Sequence, residues 1–321
     1  MNISIIIITR NEEERITECL QSICDQYIED LFEIIVVDGN STDRTVDIVR
    51  GFQNDYSFVS LIKCKKYGYG YQRNIGVLNA KGKYVVFMSG DTVASKKLIC
   101  KYDKYLDSYD IIQGTVINVI DKVPFSKYIV EACTIIYHNH LYSMMEMFST
   151  VNVCVRRELL LYRVFDETID ALEDKEWALD FEGTVNYYRL KTGCVYHKIH
   201  ENLFQYGRKI FKEARAVGVI LSKTSSELNN ANIFEWYSYT KCFLVILIIA
   251  VSALTLSFIY KKLWLFGLSL IIPVAYKSVR IISICKKRKI RLSVYGFIIT
   301  YYYYDFVFNG VFRGLFCLKT N

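Results

Sequence analysis

The sequence has no C-x-x-C pair and no cysteine–histidine spacing suited to a structural zinc, although it carries ten cysteines and four histidines. That leaves no metal-ribbon or dithiol motif to organise the chain. Several cysteines, among them Cys100, Cys154, Cys242 and Cys285, stand inside apolar runs. They read as ordinary core or membrane cysteines in a reducing compartment. A secretory leader is also lacking: the run Ile5 to Ile8 is too short for an apolar leader core and is followed at once by Arg10-Asn11-Glu12-Glu13-Glu14. Net charge is +7, yet the basic residues make no nucleic-acid footprint, and no nucleic-acid partner is expected. The densest basic run, Lys286-Lys287-Arg288-Lys289-Ile290-Arg291, lies between apolar segments. A basic run in that place reads as a cytoplasmic membrane flank.

What is present suits one or two domains in 321 residues. The chain is 52% hydrophobic with 23% charge, and its mean hydropathy is +0.17. The apolar excess is local and begins near Lys241. Cys242 to Tyr260 holds no charge and is long enough to span a bilayer, which takes about 20 residues. After Lys261-Lys262, Leu263 to Cys285 is a second span, with Lys277 and Arg280 placed to snorkel. Val294 to Phe316 carries Asp305 and Arg313, and either spans or lies in the interface as an aromatic helix. The expectation is a cytosolic α/β domain over residues 1–236 and an α-helical transmembrane region over 237–321. The protein is then an integral membrane protein, with Lys286 to Arg291 inside the cell and Lys261-Lys262 outside.

The first third alternates strands and helices. Asn2 to Ile8, Phe32 to Val37, Val59 to Lys63 and Tyr84 to Met88 read as buried strands. Helices fit Glu13 to Gln26, Asp43 to Phe52 with Ser41 or Thr42 as cap, and Gln72 to Ala80. This order predicts a mostly parallel, doubly wound sheet. Further on, Ile111 to Val119 and Gly193 to His197 read as strands. Cys133 to Phe148, a segment opening at Arg157, Leu172 to Phe181 and Leu203 to Val219 read as helices.

In such a sheet ligands bind outside the carboxyl ends of the strands. Glu12, Asp38 and Asp91 each follow a strand. A carboxylate such as Asp38 can accept hydrogen bonds from a base or ribose. Asp91 either caps a turn or holds a divalent cation, which typically takes one or two carboxylates plus substrate phosphates. Arg73 is placed to pair with a phosphate. Asp43, at a helix start, reads as a cap.

Four segments together resemble the successive motifs of family-2 glycosyltransferases. They are Ser4 to Glu12, Val36 to Thr45, Arg73-Asn74-Ile75-Gly76 and Ala80 to Asp91. The resemblance implies the GT-A fold, a Rossmann-like nucleotide-binding domain. It places Asp38 on the nucleoside, with Thr9, Asn11 and Glu12 lining the pocket beside Arg73. Where the family usually has D-x-D, this chain has Ser89-Gly90-Asp91; the first acid is missing, and Asp91 remains as the metal ligand for Mg2+ or Mn2+. Glu173-Asp174 resembles the later motif whose aspartate is the general base. His197, followed by Tyr206-Gly207-Arg208-Lys209, is a further candidate metal ligand or diphosphate contact. The chain lacks the Q-x-x-R-W run of processive synthases. The resemblance therefore implies an inverting transferase that takes sugar from a nucleoside-diphosphate donor to a membrane-held, lipid-linked acceptor. Two alternatives stand beside it: transfer to polyprenyl phosphate itself, and a non-catalytic nucleotide-binding membrane module.

Overall fold

A computed structural model of the chain describes residues 2–26, 32–120, 148–181 and 183–199, with seven scattered positions between 208 and 220. The chain divides into two compact units, Met1–Asp121 with Tyr142–His200, and Lys122–Leu141 with Glu201–Asn321. Every element below belongs to the first. The proposed spans, the boundary at residues 236–237, and the helices expected over Cys133 to Phe148 and Leu203 to Val219 fall wholly or almost wholly outside the described residues. Among the described residues no helix is long and apolar enough to cross a membrane.

The elements run β1 (Ile3–Thr9), α1 (Ile16–Cys24), β2 (Phe32–Asp38), α2 (Thr45–Asp55), β3 (Val59–Lys63), α3 (Tyr69–Asn79) and β4 (Tyr84–Ser89). Then come β5 (Thr92–Ala94), α4 (Leu98–Asp103), β6 (Ile111–Ile120), β7 (Asn152–Arg156), α5 (Arg157–Tyr162), α6 (Glu173–Leu179) and β8 (Tyr187–Ile199). One eight-stranded sheet has the order β3-β2-β1-β4-β7-β6-β8-β5. β3, β2, β1 and β4 are mutually parallel. β7 then pairs antiparallel with both β4 and β6, and β5 antiparallel with β8. β6 and β8 again pair parallel, so the sheet is mostly parallel as expected, and the three antiparallel pairings make it mixed.

β1 and β2 are buried along their full length, because helices cover both faces. Alternation along β1 sends Ile3, Ile5 and Ile7 toward Ile16, Leu20 and Ile23 of α1. Ile6 and Ile8 share the opposite core with Val77 of α3 and with Trp177 of α6. Trp177 stacks on Phe148 at 5.2 Å between centroids and meets Phe181 at a tilt, at 4.4 Å. Aromatic pairs of this kind add about 0.5–1.5 kcal/mol beyond burial, and Phe165, 5.7 Å from Trp177 and 5.6 Å from Phe87 of β4, links α6 to the sheet.

The turn before β4 depends on Gly82. A Cβ there would lie 2.6 Å from the main chain at Ile3 and Ser4. The approach is close because Ser4 and Glu33 gather the turn. Ser4 Oγ donates to Glu33 Oε1 at 2.7 Å, and the Lys81 and Gly82 N–H groups donate to Glu33 and Ser4 at 2.8 Å each. These buried polar groups thus find partners at the amino edge of the sheet.

Cysteines follow the sequence reading in part. Cys154 is buried and its thiol is pushed up by burial, whereas Cys100, on α4, is exposed rather than core. Among the described residues all the cysteines are free. Cys242 and Cys285 lie outside them.

Candidate active site

Strand register brings the first loops together. Thr9 stands opposite Asp38, and Ile8 opposite Ser89. The Gly39 N–H donates to Thr9 O at 2.8 Å, and the Gly90 N–H to Ile8 O at 3.0 Å. Gly90 is close-fitted: a Cβ there would lie 2.7 Å from Thr9 Oγ1. The carboxyl ends of β2, β1 and β4 therefore form one edge, which carries the Glu12, Asp38 and Asp91 loops.

Asp38 is fully buried. The Ser41 N–H donates to its Oδ2 at 3.0 Å, and the Ser41 hydroxyl donates to Oδ1. Asn11 adopts a left-handed φ of 54°, which asparagine tolerates. Its N–H donates to Ser41 Oγ at 2.9 Å, and its Oδ1 accepts from the Thr42 N–H at 2.8 Å. Asn11 thus ties the first loop to the second. Ser41 and Thr42 are engaged there and do not cap α2. Asp43 instead braces the turn just before the helix, its Oδ1 accepting from the Thr45 N–H at 3.0 Å. Burial pushes the Asp43 carboxyl up, but the hydrogen bonds from Thr45 and Glu13 outweigh it and hold it below its ordinary value.

Glu12 sits behind this edge. Its N–H donates to Thr45 Oγ1 at 2.7 Å, and its carboxylate lies 3.1 Å from Arg15. Burial first, and then the Asp91 charge, push the Glu12 carboxyl up to about 7 against the pull of Arg15. Thr9 is buried with its Oγ1 unpartnered.

The Asp91 loop meets the far strand. β5 pairs Thr92 with His197 on β8, and β6 pairs Asn118 with the same histidine. His197 Nε2 lies 3.0 Å from Asp91 Oδ2, and Nδ1 lies 3.1 Å from Asn118 Oδ1. Burial alone would raise the Asp91 carboxyl, but the hydrogen bond and charge of His197 hold it well below the carboxylate range. Asp91 Oδ1 is buried without a hydrogen-bond partner. In its neutral form the imidazole, beside a carboxylate with a free buried oxygen, suits a divalent cation that keeps coordination positions for substrate oxygens. Among the described residues no larger cluster of three or more His, Cys, Asp or Glu side chains is placed to hold a metal.

Arg73 has a protein partner. Its guanidinium is buried and donates to Glu173 at the start of α6, with Tyr69 and Phe165 rings under it at 5.7 and 5.8 Å. It ties α3 to α6 rather than standing open to a phosphate. Burial, offset in part by Arg73, raises the Glu173 carboxyl. The next residue, Asp174, is only partly buried. Its Oδ2 accepts from the Thr150 N–H at 3.2 Å and from the Thr150 hydroxyl at 3.0 Å, and its Oδ1 accepts from the Lys175 N–H at 2.8 Å. Because β7 runs antiparallel to β4, with Asn152 opposite Met88, Thr150 stands off the carboxyl end of β4. Asp174 therefore belongs to the same sheet edge as Asp91.

Three residues of this edge escaped the sequence reading. Gln72 is 1% exposed, and its Nε2 donates to Thr9 O at 3.1 Å and Val37 O at 2.9 Å. It bolts β1 to β2 beside Asp38, and its only sequence signal is its place before Arg73-Asn74. Thr150 and Asn118 carry no local signal, because their partners are distant in the chain.

The comparisons with known proteins agree with this architecture. A mannosyltransferase from Pyrobaculum calidifontis, solved in complex with GDP-Man and Mn2+, superposes with a TM-score of 0.60 over 98% of this chain and 87% of its own, at 15% identity. At that identity the likeness shows the fold, a mixed α/β sheet of the GT-A kind. The poly(ribitol-phosphate) beta-N-acetylglucosaminyltransferase TarS of Staphylococcus aureus is 33% identical over 34% of this chain and 19% of its own length. A dolichyl N-acetyl-alpha-D-glucosaminyl phosphate 3-beta-D-2,3-diacetamido-2,3-dideoxy-beta-D-glucuronosyltransferase of Methanococcus voltae is 38% identical over 26% of this chain and 27% of its own. The chain spans about a fifth to a quarter of the length of the curated relatives it matches first. Residues 4–165, just over half of the sequence, match the glycosyl transferase family 2 domain, and the chain belongs to that family.

Proposed function

We propose that the protein is an inverting, membrane-held glycosyltransferase that moves a sugar from a nucleoside-diphosphate donor to a lipid-linked saccharide. The observation that carries this reading is the single sheet edge that holds Asp38, the Asp91–His197 pair and Asp174. Asp38 receives the nucleoside, as the family resemblance implies. Asp91 and His197 would hold a divalent cation, Mg2+ or Mn2+, which would supply charge neutralisation for the diphosphate leaving group. Asp174 takes the proton from the acceptor hydroxyl while the oxygen attacks the anomeric carbon from the opposite side. Serine at position 89 leaves one fewer carboxylate than the usual motif, and His197 supplies a second ligand.

The acceptor class is supported by the name of the Methanococcus voltae relative, which acts on a dolichyl-linked sugar, and by the uncharged run from Cys242 to Tyr260. The catalytic domain is then cytosolic, where nucleotide sugars are made. A cysteine placed at Lys261 should be labelled from outside intact cells; protection there, with labelling near Lys287, contradicts this topology. The activity itself is tested by incubating membranes that contain the full chain with a panel of nucleoside-diphosphate sugars and a lipid extract from the host. Chelator-sensitive transfer to the lipid fraction is expected. Donor binding without transfer or hydrolysis for any donor would instead favour a nucleotide-binding module that does no chemistry.

A further inference from the structure

Asp174 is the group to which the proposed reaction gives the acceptor's proton, and a carboxylate at the mouth of a site can rotate. The structure contains a device against that rotation. Thr150 is 2% exposed, and it aims two donors, its N–H and its hydroxyl, at a single oxygen of Asp174. The turn that presents Thr150 is itself braced. Gln113, buried in β6 at 2% exposure, accepts from the Ser149 N–H at 2.9 Å through Oε1. Its Nε2 donates to Asn152 O at 2.8 Å. Asn152 in turn accepts from the Tyr102 hydroxyl at 2.8 Å and donates to Thr115 O at 2.9 Å. The chain around Thr150 is thereby bolted to β6 on both sides of the residue.

We propose that Thr150 is the positioning residue of the catalytic carboxylate, and that it assigns the two oxygens of Asp174 different tasks. A carboxylate oxygen has about two lone-pair directions. Among the described residues Oδ2 already receives two donors and Oδ1 one, from the Lys175 N–H. The remaining direction on Oδ1 receives the acceptor's proton. The acceptor O–H bond breaks as its oxygen bonds to the anomeric carbon, the proton passes to Oδ1, and the bond from that carbon to the diphosphate breaks. Thr150 touches neither donor nor acceptor; it holds the angle at which Oδ1 meets the hydroxyl. Errors of this kind in a positioned group are costly, and a displacement of about 1 Å can cost on the order of 10²-fold.

This inference rests on Asp174 acting as the base, so the experiment carries Asp174→Asn beside the Thr150 variants. The full chain in membranes is assayed for kcat and donor KM, with thermal melting as the check on folding. Thr150→Val removes the hydroxyl at nearly constant shape, and Thr150→Ala removes it without added apolar bulk, should the valine variant fail to fold. Both should lower kcat by about 10- to 100-fold, the scale of a lost hydrogen bond to a charged group. Donor KM should stay within about twofold of wild type, while Thr150→Ser restores most of the turnover. Wild-type kcat in Thr150→Val and Thr150→Ala, beside an inactive Asp174→Asn, overturns the positioning role alone. Equal losses in Thr150→Ser and Thr150→Val also overturn it, because packing then explains the residue. Wild-type kcat in Asp174→Asn overturns the reading of the base itself.

Discussion

The two halves of the sheet are built on different rules. The parallel half, β3-β2-β1-β4, is made of strands joined by local helical crossovers, and it presents Glu12, Asp38 and Asp91 in loops that directly follow their strands. The mixed half, β7-β6-β8-β5, is held by pairings between segments far apart in the chain. Thr92 stands opposite His197, and Ile111 opposite both Val155 and Tyr187. Its polar interior is also distinctive: Tyr102, Gln113 and Asn152 form a buried network around a bulge at Gly114. The division of labour follows from this. In the proposed function the first half offers loops for a donor, and the second brings His197 to Asp91 and Thr150 to Asp174. A site assembled across this seam needs both halves in register before any of its chemistry is available.

The sharpest way to break the comparison is to remove the group on which the halves meet. Asp91→Asn should abolish most transfer, with a loss of at least about 10²-fold on the scale of a removed electrostatic stabiliser, while the fold survives because the side chain lies in a loop. EDTA should have the same effect on wild type. Near-normal turnover in either arm would show that the seam does not hold the diphosphate.

A smaller effect is expected where the parallel half depends on a close approach. Gly82→Ala drives a Cβ to 2.6 Å from the main chain of β1. It should cost roughly 1–3 kcal/mol, as overpacking does, measured as a lower midpoint in denaturant. An unchanged midpoint would show that the turn before β4 can open without loss, against the account of its Ser4–Glu33 brace.

A comparable effect is tied to pH. The Glu12 carboxyl is pushed from 4.5 to about 7 by burial and by Asp91. Its folded value thus lies above its unfolded one, so the folded protein binds the proton more tightly. Its contribution to stability is favourable at low pH and falls as pH rises from about 4.5 through 7, by at most on the order of 3 kcal/mol. Glu12→Gln should therefore raise the melting temperature of the metal-free protein more at pH 8 than at pH 5. An equal gain at both values would mean that Glu12 is not held against its ionisation.

The contrast between halves also explains what could be read from the sequence. The strands β1 to β4 appear there as largely apolar runs, and Val59–Lys63 is found with the bounds expected. The helices between them were legible from periodicity, with ends displaced by a few residues. α3 begins at Tyr69 rather than Gln72, because the glycines that suggest a loop instead permit close packing; a Cβ on Gly70 would lie 2.9 Å from Asp166 O. In the mixed half β5, β7 and α4, of three, five and six residues, were missed; the two strands pair with segments distant in the chain. β8 was seen only as its last few residues, because Gly193, at φ 107°, interrupts the alternation opposite the β6 bulge. Among the site residues, Asp38 and Asp91 stand at the edge where strand order predicts them, and His197, named only from the family resemblance, reaches it through the β5–β8 pairing. Arg73 was read as a phosphate partner, and its pairing with Glu173, 100 residues away, carries no local signal. Asn11 was read as a pocket residue, and its side chain is engaged with Thr42 of the neighbouring loop.

The central claim is that the first half binds the donor and Asp174 serves only the acceptor's proton. It is tested most directly by measuring donor affinity and kcat for Asp174→Asn with a lipid-linked sugar as acceptor. The account predicts nucleoside-diphosphate binding within about twofold of wild type and a fall in kcat of about 10²- to 10⁴-fold, the range of general-base catalysis. An unchanged kcat on that acceptor, or a collapse of donor affinity in the same variant, would contradict it.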